Sequence, residues 1–159
     1  MKNYIEFENL FKMTDVKTES KLTEEVFESV LVNMGQGKTS EEQENEMLNL
    51  KITKVLYSAG IPITSIGFYY FKDAIRLCIN DSLAATNAHK NIYMVIADKY
   101  CVTYKSVERA MRAAFTDEIA GRASYFFKKV LNIFSPEKEC SVSLLEFICL
   151  VALSIKGYQ

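Results

Sequence analysis

Apolar residues recur at helical spacing through nearly the whole chain, and no stretch alternates at period two for long enough to make a convincing sheet. Residues 4–13 group Ile5, Phe7, Leu10 and Phe11 on one helical side. A second amphipathic helix follows Thr23, its N-cap, with Glu24 and Glu25 in the first turn and Val26, Phe27, Val30, Leu31 and Met34 as its stripe. Gly35 and Gly37 end it, and residues 35–43 read as a polar linker. Ser40-Glu41-Glu42-Gln43 then reads as a capping box. The helix it opens carries Met47, Leu48, Ile52, Val55, Leu56 and Ala59, and stops at Gly60 with Pro62 beyond. Another runs over residues 65–79 with Ile66, Tyr69, Tyr70, Ala74, Leu77 and Cys78 facing inward, and Asn80-Asp81-Ser82 breaks it. Further helices are expected over residues 90–100, 104–119 and 122–133. Ser135-Pro136 interrupts, and Ser143-Leu144-Leu145-Glu146 forms a second capping box for a last helix to Ile155. The pattern predicts an all-α fold: a six-helix domain over residues 39–159 behind a short helical arm and linker over residues 1–38.

Composition narrows the function classes. The 159 residues are 49% hydrophobic and 25% charged with two Pro and six Gly, which is globular and excludes wholesale disorder. No apolar run reaches the ~18 residues of a membrane span, since Glu146 interrupts even residues 144–155. The start carries acid where a signal peptide would be apolar, so the expected location is cytoplasmic, with no membrane partner. Cys78, Cys101, Cys140 and Cys149 show no close metal spacing and are expected to be structural thiols. His89 is the only histidine, which removes multi-histidine metal sites and leaves little for acid–base chemistry. It reads as a solvent or phosphate contact at the flank of a helix. Gly35-Gln36-Gly37-Lys38-Thr39 resembles a phosphate loop but has Val32 where a P-loop needs glycine, and a helix before it. No catalytic, metal or cofactor residue is expected, and the chain does not read as an enzyme.

Charge changes the picture because its sum of −1 hides its distribution. Residues 1–50 hold five Lys against eleven acids, a net −6, whereas residues 51–159 hold fourteen basic residues against nine acids, a net +5. Such asymmetry fits a basic working domain with an acidic appendage, and equally two solvated surfaces of unequal composition.

The stretch IADKYCVTYKSVERAM, residues 96–111, is the informative one. A helix-turn-helix needs a small residue where its two helices cross, an apolar anchor at the turn, a cap on the second helix and an apolar residue one turn in. Ala97, Val102, Thr103 and Val107 fill those places, and Cys101 stands at the turn position where glycine is commonest. In the second helix Val107, Ala110, Met111, Ala114 and Phe115 fall on one side, while Lys105, Glu108, Arg109 and Arg112 project from the other. Arginine can donate a bidentate pair to guanine, and glutamate can accept from cytosine. An ordinary amphipathic hairpin with a Glu108–Arg112 surface pair would show the same periodicity. The aromatic run Phe68 to Phe71 points around most of a helix, so packing suits it better than base stacking.

A family resemblance adds to this reading. AGIPITSIGFYYFKDAI (residues 59–75), IADKYCVTYKSVERAMRAAF (96–115) and LEFICLVA (145–152) resemble the C-terminal effector domain of the stage zero sporulation protein A family, in one register over about two-thirds of the chain. The resemblance implies a six-helix transcription regulator whose fourth helix enters the major groove, with Glu108, Arg109 and Arg112 at polar positions of that helix. Three positions depart from the family pattern: Lys105 replaces a small polar residue, Ser106 an arginine and Ala113 a histidine. One phosphate or base contact is then lost and another moved. The first fifty residues are too few for the family's receiver domain, so control by aspartyl phosphorylation within this chain is not expected.

The resulting expectation is a sequence-specific regulator that binds double-stranded DNA through Lys99, Thr103, Tyr104, Lys105, Ser106, Glu108, Arg109, Arg112 and Lys128. A second copy of the chain, RNA polymerase or a sporulation-type regulator are the further candidate partners. The competing expectation is a protein-interaction module or antagonist of such a regulator, built on a degenerate DNA-binding fold. The acidic arm and the loss of arginine at Ser106 favour it.

Overall fold

The computed structural model describes residues 39–131 and 141–157, and within the helix ending at Leu131 it describes no side chain at positions 126 and 128–131. The two helices expected over residues 4–13 and 23–34, the glycine linker, Cys140 and Ser135-Pro136 lie outside the described residues. Six α-helices are described: α1 Ser40–Ser58, α2 Ile66–Asn80, α3 Met94–Tyr100, α4 Tyr104–Ala114, α5 Asp117–Leu131 and α6 Leu144–Lys156. Between α2 and α3 the chain passes through a 3-10 turn (Ala84–Asn87) and a π-helical stretch (His89–Tyr93). There is no strand among the described residues, so the all-α expectation holds.

Helix ends follow local chemistry. The cap of α1 is Thr39, one residue earlier than expected; its hydroxyl accepts from the Glu42 amide, and the Glu42 carboxylate accepts from the Thr39 amide at 3.0 Å. The box is therefore Thr39–Glu42, because glutamate reaches back to the cap amide as an ionised acceptor. The second expected box is observed as read, Ser143 capping α6 and Glu146 accepting from the Ser143 amide at 2.8 Å. At the end of α1, Gly60 adopts φ +91°, and the amides of Gly60 and Ile61 donate to the Tyr57 and Leu56 carbonyls. That is a Schellman stop, which turns Ile61 inward.

The expected helix over residues 104–119 is broken earlier. Phe115 leaves helical dihedrals (φ −105°, ψ 80°), and the Thr116 hydroxyl accepts from the Ile119 amide at 3.4 Å to start α5. The signal was available: Thr116-Asp117-Glu118 repeats the threonine-plus-acids pattern read at Thr23. A continuous apolar stripe through Ala114 and Phe115 masked it.

Helix α2 is the axle of the domain, packed by α6 and α4 and also by α1. It therefore buries two faces, and Phe68, Tyr70, Phe71, Ala74, Ile75 and Cys78 are all inside. Ile66 and Tyr69, expected in the core, are exposed, and so is Met47 of α1. Helical periodicity reports that a face is apolar, but which of two faces is covered depends on neighbours. Phe71 meets Phe115 and Phe147 at 6.0 Å each, and Phe147 also meets Phe127 at 6.4 Å, forming an aromatic centre that ties α2, α5 and α6 to the residue closing α4. Burying each such ring is worth about 1.5–3 kcal/mol.

Among the cysteines, Cys78 is the structural thiol expected: burial, and then the adjacent Cys149, pushes it up to about 12. Burial also raises Cys149. Cys101 is exposed, at the turn position where the spacing places it rather than on a helix face.

Candidate nucleic-acid interface

The turn between α3 and α4 is built from main-chain geometry. Cys101 sits in the left-handed region at φ 53°, the one described non-glycine residue with positive φ. Its amide donates to the Asp98 carbonyl at 3.3 Å, and the Val102 amide donates to the Ala97 carbonyl at 3.0 Å. This is a second Schellman stop, in which a cysteine takes the place that Gly60 holds at the end of α1. Such a conformation costs a side-chain-bearing residue about 1–2 kcal/mol. Val102, the expected apolar anchor of the turn, is 40% exposed. In this kind of stop the residue after the left-handed one packs back on its own helix, and Ala97, being small, covers little of it. Ala97 itself and Val107 are buried, as the crossing requires.

Thr103 opens α4 as expected, its hydroxyl accepting from the Ser106 amide at 3.2 Å. The two hydroxyls of Thr103 and Ser106 also lie 2.8 Å apart, so Ser106 closes the cap rather than reaching outward. Tyr104 is half-buried and meets the edge of the exposed His89 ring at a centroid distance of 4.4 Å. One side of α4 is buried through Val107, Met111 and Ala114. The other presents Lys105, Arg109 and Arg112 to solvent.

These cations are not equivalent. Glu108 Oε1 accepts from Arg112 Nε at 3.1 Å and Nη2 at 2.8 Å, so Arg112 is already held by its neighbour one turn back. That hydrogen bond, and then the charge of Glu108, raises the Arg112 guanidinium further above its ordinary range. Burial, followed by the Glu108 carboxylate, pushes up the Tyr93 phenol beneath the pair. Lys105 and Arg109 have no hydrogen-bond or ion-pair partner among the described residues. Lys99, expected to be a free backbone contact, instead donates to both oxygens of Asp73 at 2.8 Å. The same carboxylate, after burial, pushes Tyr100 up to about 12. Asp73 of α2 thus clamps the end of α3, and Lys99 serves the fold before it serves any ligand. Helix α5 contains Lys128, whose side chain lies outside the described residues.

Sequence reasoning missed the residue that seats α4. A Cβ on Gly67 of α2 would come 2.5 Å from the Ala110 carbonyl oxygen and 2.7 Å from the Ala114 Cβ. Only a glycine lets α4 lie this close across α2. The clue was faint: a glycine one residue inside an otherwise apolar helix, opposite alanines at i and i+4 of another.

The chain matches the family described as sporulation initiation factor Spo0A, C terminal, over residues 52–155. It belongs to this family. The matched span runs from within α1 to the end of α6 and takes in the whole helix-turn-helix. The family is one of DNA-binding effector domains of sporulation regulators and not of enzymes. Among the described residues no helix is long and apolar enough to cross a membrane, and no group of three or more His, Cys, Asp or Glu could hold a metal ion.

Proposed function

We propose that the chain is a sequence-specific, double-stranded DNA-binding transcription regulator, in which residues 39–159 form the binding domain and residues 1–38 an acidic arm. The observation that carries this reading is the division of α4: Val107, Met111 and Ala114 anchor it, while Lys105, Arg109 and Arg112 stand clear on its outer side. With α3 crossing behind it, such a helix fits the major groove. Arg109, unpartnered, is the natural bidentate reader of guanine. Glu108 and Arg112 present a joined acceptor and donor, suited to a neighbouring base pair or, once parted, to a phosphate. Lys105 and the Thr103 end of α4 meet the backbone, and Lys128 adds a further phosphate contact. Lys99 contributes less than its charge suggests because Asp73 neutralises it.

The test is selection of bound fragments from random duplex DNA at two salt concentrations, followed by the double variant Arg109→Ala with Arg112→Ala. An enriched sequence is expected, with affinity falling steeply as salt rises. Loss of two such contacts should weaken specific binding at least 30-fold, taking about 1–3 kcal/mol for each bidentate contact, while the helical content is unchanged. A double variant that binds the selected sequence as well as wild type refutes the assignment.

A further inference from the structure

A shallow concavity runs along the outer side of the π-helical stretch and α3, lined by Asn87, His89, Lys90, Met94, Val95 and Asp98. Its floor is apolar and open: Met94 is 42% exposed and Val95 44%. Leu83, 67% exposed, lies in the turn that leads into it, and Val102 is exposed in the turn that follows α3. None of these residues contributes to the division of α4 described above, so the strip is a second surface. Its lining balances Lys90 against Asp98, and the exposed cations Lys105 and Arg109 stand on the adjoining α4.

We infer that this strip is the docking site for a segment of the same chain, residues 23–34. That segment places Val26, Phe27, Val30, Leu31 and Met34 at helical spacing and carries Glu24, Glu25 and Glu28 with no basic residue. An apolar stripe flanked by acid complements an apolar strip that carries Lys90 in its lining and faces an adjoining helix bearing Lys105 and Arg109. Length agrees as well. Twelve helical residues rise about 18 Å, the same as the helical run from Asn87 to Asp98.

The attachment point is suitably placed. Arg76, near the end of α2, donates to Asn49 at 2.6 Å and to Asn45 at 3.0 Å, so α1 and α2 run antiparallel. Thr39 therefore lies at the same end of the domain as the turn of Leu83. From Met34 to Thr39 the chain can reach at most about 17 Å. Docking there sets the acidic segment beside the start of α4, since His89 of the strip touches Tyr104. The segment and a duplex would then compete for one neighbourhood, a consequence that rests on the DNA reading; the docking itself does not.

The experiment uses the full chain and amide hydrogen exchange across residues 89–102, with DNA affinity at low salt as a separate readout. Phe27→Ser with Leu31→Ser should raise exchange in that window at least threefold and leave the mass in sedimentation unchanged. Lys90→Glu should loosen the same window, and adding Glu28→Lys should restore protection in part. Unchanged exchange in the Phe27/Leu31 variant overturns the docking. Protection that falls on dilution of the wild-type chain also overturns it, by assigning the strip to a second copy. A rise in DNA affinity together with loss of protection shows that segment and duplex exclude each other. If protection responds and no duplex binds in any variant, the docking stands and the DNA assignment fails.

Discussion

Gly67→Ala sets two effects of opposite sign against each other at the crossing that seats the recognition helix. In an exposed helix the change would be favourable by about 1 kcal/mol, because alanine is the best helix former and glycine among the worst. Here the new Cβ would lie 2.5 Å from the Ala110 carbonyl oxygen and 2.7 Å from the Ala114 Cβ. Ordinary carbon contacts begin near 3.5 Å, so α2 and α4 must separate by about 1 Å. The obstruction is main chain, which no rotamer relieves. Forcing extra methyl groups into a packed contact costs about 1–3 kcal/mol, and separating the helices also loosens Val107 and Met111. The net expectation is a loss of about 1–2 kcal/mol, with overpacking winning over propensity. Urea unfolding followed by circular dichroism measures it. Adding Ala114→Gly should recover little, because the Ala110 carbonyl remains in the way. If Gly67→Ala is as stable as wild type or more so, the close crossing does not exist and the placement of α4 derived from it is wrong.

Two further outcomes test the local chemistry. Cys101→Gly should stabilise the domain by about 0.5–1 kcal/mol, the left-handed cost relieved less the entropy glycine adds to the unfolded chain; a loss of stability in thermal unfolding would show that the turn carries no strain. Glu146 has its carboxyl held below its ordinary 4.5 by hydrogen bonds from the Ser143 amide and side chain. A depressed carboxyl contributes stability that is complete above the unfolded value and lost as pH falls through the folded one. Acid unfolding should therefore steepen below about pH 4.5, and Glu146→Gln should flatten that limb; identical pH profiles for the two proteins would remove the box from the account.

Much of the site was legible one residue at a time. Thr103 as cap, Cys101 at the turn, Ala97 and Val107 as crossing residues, and the two sides of α4 all follow from interactions within four or five residues, where sequence spacing is spatial spacing. The capping residue of α1 was misplaced by a single step because Thr39 and Ser40 are both competent caps with a partner three residues on, and the ionised Glu42, a stronger acceptor than Gln43, chose between them. The start of α5 was missed because an apolar stripe outweighed a cap signal that the chain does contain at Thr116.

What the sequence by itself determined is the set of helices, the two sides of α4 and the family to which residues 52–155 belong. Those properties depend on period and capping, which are short-range. Only the tertiary structure decided that Lys99 is not free. Lys99 is spent on Asp73, twenty-six residues away, whereas the Glu108–Arg112 pair, four residues apart on one helix, was already legible in the spacing. It also decided that α2 is covered on two faces, so that Phe71 is buried and Tyr69 is not, and that Gly67 is the hollow into which α4 settles. Partners across the core are set by how helices cross, and crossing depends on volume and charge brought together from distant parts of the chain.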